Sequence, residues 1–122
     1  MQTDKQIRGA IGEQAAVDYL RQNGFMIVER NYRIGRSEVD IIASRYDELH
    51  FVEVKTRKAG SMTAPEEALT EQKFRAMRRA ASAYMAQHYS MLEPRFSLIA
   101  IEMVGSTVVS LRFVEDAMQY GW

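Results

Sequence analysis

The sequence predicts an α/β domain, a mixed β-sheet of about five strands flanked by helices in the order αβββαββ. Three observations predict it. Two β-branched runs within residues 37–57 flank a polar turn, as in an antiparallel hairpin. A long amphipathic pattern over residues 70–88 follows, with the spacing of a helix. Two more apolar runs, 96–103 and 107–113, surround Gly105-Ser106 and read as a second strand pair. Hairpins interrupted by a long helix need a sheet with helices packed on it. The chain has 122 residues, which suits one domain, 1–122, around one core.

The first predicted element is a helix over residues 3–23. Thr3 and Gln6 have capping-box spacing, and Asn23-Gly24 is a helix stop. At 100° per residue, Gly9, Glu13, Ala16, Val17 and Leu20 fall on one side. Glu13 therefore sits on the apolar face. Three readings stand: the edge of the apolar face lies elsewhere, Glu13 pairs with a nearby Arg, or it is a carboxylate aimed at a site. Gly9 and Gly12 each weaken a helix by about 1 kcal/mol relative to Ala. Small residues there let another backbone, or a phosphate, approach.

Residues 25–33 read as a strand, with Phe25, Ile27 and Tyr32 facing inward. Ile34-Gly35-Arg36 is a turn into the hairpin, and Arg30, Arg33 and Arg36 bring positive charge to its approach. Residues 58–63 form a loop with Gly60-Ser61 beside the charged strand end, and residues 65–69, begun by Pro65, fit one helical turn. Thr70 is a good N-cap for the long helix, whose apolar stripe is Phe74, Met77, Ala81, Tyr84 and Met85. Leu92-Glu93-Pro94 breaks that helix, and residues 115–120 read as a short helical tail before Gly121-Trp122.

Composition narrows the function. Hydrophobic residues are 47% and charged residues 26%, so the chain is globular. Sixteen basic and sixteen acidic side chains cancel, so nucleic acid would have to be met by local clusters of Lys and Arg. There is no cysteine, which excludes disulfides, thiolate chemistry and Cys-based zinc sites. No apolar run has signal-peptide or membrane-spanning length, and the expected setting is a soluble protein of the cytoplasm.

The hairpin carries charge where buried strands should not. Asp40 lies in its first run, Glu53 and Lys55 in its second. Glu53 and Lys55 share a strand face, with Val52 and Val54 on the other. Such groups are costly on half-buried strands unless paired, hydrogen-bonded or bound to a metal. Hard oxygen donors without Cys point to Mg²⁺ or Mn²⁺, with Asp40, Glu53 and the Val54 carbonyl as a half-shell. Lys55 would orient or deprotonate a water, or stabilise charge on a phosphate.

Asp…Glu-x-Lys across a hairpin is the pattern of the restriction-endonuclease-like superfamily. More specifically, most of the chain resembles the YraN family of uncharacterised bacterial proteins, which is similar to archaeal Holliday-junction resolvases. The resemblance rests on Gly9-x-x-Gly12-Glu13 with Ala16 and Tyr19-Leu20, Arg30-Asn31-Tyr32-Arg33, Glu38-Val39-Asp40-Ile41-Ile42-Ala43 and Phe51-Val52-Glu53-Val54-Lys55-Thr56-Arg57. Lys73 and Arg95-Phe96 also fall where the family has them, while Ser37 stands where it usually has Gly. The resemblance implies a restriction-endonuclease-like core. It implies a divalent-metal nuclease site at Glu13, Asp40, Glu53 and Lys55, with Glu38 supporting it and Lys73 touching a phosphate. The expected ligand is DNA, including branched DNA, and the expected cofactor is Mg²⁺ or Mn²⁺ with no small-molecule cofactor and no membrane partner. Junction cutting needs two active sites, so a homodimer would suit that substrate. The alternative is a non-catalytic nucleic-acid-binding or protein-interaction module on the same fold. Its basic rim would be Arg30, Arg33, Arg36, Arg57, Lys58, Arg75, Arg78 and Arg79, and its sticky surface would draw on eight methionines.

Overall fold

In a computed structural model, which describes residues 1–60, 70–88 and 90–117, seven elements follow one another. They are α1 (Asp4–Gln22), β1 (Met26–Ile34), β2 (Ser37–Arg45), β3 (Glu48–Lys58), α2 (Glu71–His88), β4 (Glu93–Val104) and β5 (Thr107–Val114). This is the αβββαββ order that the sequence predicts.

The helix ends follow from their capping residues. The Thr3 hydroxyl accepts the Gln6 N–H at 3.1 Å, and the Gln6 side chain accepts the Thr3 N–H at 2.9 Å. At the other end Gly24 has φ +85°, which a Cβ would oppose. That turn lets Gly24 N–H reach the Arg21 carbonyl and Phe25 N–H reach Leu20, satisfying carbonyls the helix leaves open. Thr70 caps α2 through its hydroxyl, which accepts the Lys73 N–H at 3.1 Å.

The five strands lie in sequence order, β1-β2-β3-β4-β5. All neighbours are antiparallel except β3 and β4, which run parallel from Glu48↔Glu93 to Lys58↔Met103. A parallel pair needs a crossover, and α2 provides it. Continuous pairing with β4 also explains why β3 extends to Lys58: its charged end stays in a ladder. β4 begins at Glu93, earlier than the pattern predicts, and includes Pro94. β5 pairs β4 only from Leu98 onward, so the missing Pro94 N–H interrupts no bond on that side.

Each face of the sheet carries one of the two described helices. α2 covers Val39, Ile42, Leu49, Phe51, Phe96 and Leu98 with Phe74, Met77, Ala81 and Tyr84. α1 covers Ile41, Ala43, Val52, Ile99 and Ile101 with Ala16, Val17 and Leu20. Phe25 and Ile27 pack on the α1 side and Tyr32 on the α2 side, so β1 has two inward faces rather than one. Gly12 is buried where α1 meets β3, and a Cβ there would collide with the Thr56 hydroxyl. The expected turn at 65–69 lies outside the described residues, as do residues 61–63 of the loop over 58–63, Trp122 and the tail beyond Ala117. Ala117 itself is buried against the α2 layer. No helix among the described residues is long and apolar enough to cross a membrane.

Candidate functional site

Two strands part at Asp40. β2 pairs β3 from Arg45↔Glu48 to Ile41↔Val52 and no further. Beyond that point β2 stays with β1 to Ile34↔Ser37, while β3 stays with β4. The Asp40 carboxylate fills the fork by accepting the Val54 N–H at 2.7 Å, a bond that a strand partner would otherwise supply.

Glu53 stands beside it, 7% exposed, on the α2 side of β3. Its carboxylate meets the Lys73 ammonium of α2 at 2.9 Å. Burial pushes the Asp40 carboxyl up to about 7, helped by the negative charge of Glu53 and Glu38 and opposed by the Val54 N–H. Burial also raises Glu53, against the hydrogen bond and charge of Lys73. Burial alone would lower the Lys73 ammonium, but its hydrogen bond to Glu53 outweighs that and the group is raised. Two carboxylates that both resist ionising, side by side, form a donor set that favours either a shared proton or a cation.

The fork opens on a cleft of about 460 Å³ between α1 and the end of β3. Lys5, Arg8, Gly9 and Glu13 line it from α1, Asp40 from β2, and residues 53–58 from β3. The cleft thus brings together Glu13, Asp40, Glu53, Val54, Lys55 and Arg57. Glu13 also pairs with an arginine: its Oε1 accepts from Arg30 Nε and Nη2 and from Asn31 Nδ2, all at 3.2 Å. Its Oε2 has no hydrogen bond among the described residues. The Arg-pairing reading of Glu13 is therefore met, and the same residue lines the cleft.

Other expected site residues lie around the cleft, not in it. Lys73 reaches Glu53 from the α2 side. Glu38 pairs with Arg33 at 3.5 Å, yet its charge still acts on Asp40 and Glu53. Arg33 and Arg36 are exposed beside the β1–β2 turn and do not line the cleft. Lys5 and Arg8 line it without having been singled out from sequence. The available signal was their spacing to Gly9, Gly12 and Glu13 along one side of α1.

A second charged group lies at the other end of β3. Ligand atoms of Glu48, His50 and Glu115 come within 4.8 Å of one another, the one such group of three among the described residues. Glu13, Asp40 and Glu53 do not close to that distance. Around Glu48 and Glu115 the countercharge is already supplied, by Arg95 at 3.1 Å and Arg45 at 2.8 Å. His50 is buried, with Nε2 toward Glu48 at 3.2 Å and Nδ1 toward the Ser97 hydroxyl at 3.0 Å. The group is an ion-paired network that ties β3, β4 and the turn after β5 together, in which Arg45 Nε alone, among the described residues, is buried without a hydrogen-bond partner.

Residues 12–101 match a family described as "Uncharacterised protein family UPF0102". The chain belongs to this family. The resemblance read from the motifs is thereby established, since YraN and UPF0102 designate one family. A UPF0102 protein of Symbiobacterium thermophilum is 38% identical over 110 residues, 89% of this chain and 93% of that one. A UPF0102 protein of Chlorobium phaeobacteroides is 40% identical over 102 residues, covering 83% and 80%. One from Bacteroides thetaiotaomicron is 43% identical over 93 residues, covering 76% and 77%.

Proposed function

We propose that this UPF0102 protein is a divalent-metal-dependent endonuclease that hydrolyses phosphodiesters of DNA, including branched DNA. The observation that carries this reading is the pair of half-buried and buried carboxylates, Asp40 and Glu53, meeting at a strand fork that opens on a cation-lined cleft. The donors are oxygens, and their mutual repulsion is what a hard divalent ion relieves. Mg²⁺ or Mn²⁺ would be held by Asp40, Glu53 and the Val54 carbonyl, with the more distant Glu13 carboxylate acting through the waters that such an ion keeps. When bound, such an ion polarises the phosphate and lowers the pKa of an attacking water. Lys55 shares the strand face of Glu53 and lines the same cleft, so its ammonium orients the water or offsets charge on the phosphate. Lys5, Arg8 and Arg57 hold the flanking phosphates. The same motifs are those on which the resemblance to the restriction-endonuclease-like superfamily rests.

The test is cleavage of a synthetic four-way junction, linear duplex and single strand with Mg²⁺, Mn²⁺ or chelator. Cutting with metal is expected, and its loss in Asp40→Asn, Glu53→Gln and Lys55→Ala. If the wild-type protein leaves all three DNAs intact with both metals, the nuclease reading is overturned.

One observation favours a second reading. Glu13 and Glu53 already have cationic partners in Arg30 and Lys73. A non-catalytic nucleic-acid-binding or protein-interaction module would need no metal there. That reading predicts DNA binding that is metal-independent and survives Asp40→Asn.

A further inference from the structure

The described part of α2 carries four cations, Lys73, Arg75, Arg78 and Arg79, against one acid, Glu71. In a chain of zero net charge this is a local concentration, not a bulk property. Arg75, Arg78, Arg79 and Ser82 line a groove of about 410 Å³, and among the described residues no acid lines it. It belongs to the α2 face of the sheet, whereas the cleft opens beside α1.

These guanidinium groups are positioned, not merely exposed. Arg79 Nε donates to the Ser37 hydroxyl at 3.3 Å, and Arg78 lies 5.8 Å from the centre of the Phe74 ring. Arg78 has no carboxylate partner among the described residues. Arg75 pairs with Glu71 at 2.6 Å, but both side chains are mostly exposed, so that pair yields to another anion at little cost. Three guanidinium forks and a hydroxyl are donors suited to phosphate oxygens. Ser37 opens β2 three residues before Asp40, and Lys73 reaches Glu53 from the same helix. The groove therefore approaches the fork along α2, whereas the cleft is walled by α1.

We propose that the α2 groove is a second phosphate-backbone site, holding a strand of nucleic acid other than the one in the cleft. The preferred ligand then has two backbones, as duplex or branched DNA does. This rests on the nucleic-acid part of the proposed function and not on cleavage.

Binding measured in chelator separates the two. Fluorescence anisotropy would compare a duplex of about 30 base pairs with a short single strand, across a range of salt. Each phosphate contact to duplex contributes about 0.9 to the slope of log K against log salt. The double variant Arg75→Gln/Arg78→Gln is expected to weaken duplex binding about tenfold and to lower that slope by roughly two. Its single-strand affinity should match wild type, while Lys5→Gln/Arg8→Gln should weaken both probes. Matching thermal melts would show that the variants fold. Unchanged duplex affinity and slope in the groove variant, or equal loss for both probes, overturns the second site. Loss of duplex preference without loss of cutting would leave the nuclease reading intact. Absence of cutting with the expected binding pattern would remove only the nuclease reading. Absence of DNA binding by the wild type would remove both.

Discussion

Asp40 is held where ionising costs it the most and hydrogen bonding repays only part. Its folded-state pKa of about 7 stands above the ordinary 3.8. Protonated Asp40 therefore stabilises the metal-free fold fully below about pH 4, and that contribution is lost as pH rises through about 7. Asp40→Asn keeps an oxygen for the Val54 N–H and removes the titration. Urea denaturation in chelator should show this variant losing less stability than wild type between pH 5 and pH 8. An equal loss in both proteins would mean that Asp40 does not carry the raised pKa. Two glycines of α1 give a second contrast. Gly12→Ala drives a Cβ into the Thr56 hydroxyl and should cost about 1–3 kcal/mol in the same denaturation. Gly9→Ala meets nothing within 4 Å and should stabilise the helix by up to about 1 kcal/mol. Asp40 and Glu53 were legible in sequence because charge interrupts β-branched runs. Lys5 and Arg8 were not, because a charged first turn looks like any solvated helix end until α1 is placed against β3.

At the scale of elements, α2 does two jobs. Its apolar stripe covers one face of the sheet, and its first turn delivers Lys73 to Glu53. Lys73→Met leaves a buried carboxylate without its cation. The stability loss should be about 1–2 kcal/mol at pH 8, discounted for the partial exposure of Lys73, and smaller at pH 5. The direction follows from Glu53, whose pKa is raised even with Lys73 present, so a lower pH lets it take up the proton. A loss that is the same at both pH values would show that the pair is merely packing. The helix and its stripe were readable from a 3.6-residue period. The Lys73–Glu53 contact was not, since it joins residues twenty positions apart on different elements.

For the molecule as a whole, stability rests on two apolar layers that share β3. Phe51 is fully buried in the α2 layer, stacked on Phe96 with ring centres 5.8 Å apart and edge-on to Tyr84 at 6.2 Å. Phe51→Ala should cost about 3–5 kcal/mol, read as a lower denaturation midpoint at unchanged slope. A loss below about 1 kcal/mol would mean that the layer closes around the gap. The order of elements, the helix caps and the unusual charges of the hairpin came from sequence alone, because each is written in neighbouring residues and their spacing. The parallel pairing of β3 with β4, the placing of α1 and α2 on opposite faces, and the parting of β2 from β3 at Asp40 belong to the tertiary structure. They depend on which distant surfaces bury each other, and no local pattern encodes that choice. The same packing decides that Glu13 shares a cleft with Asp40 and Glu53, while Arg33 and Arg36 remain outside it.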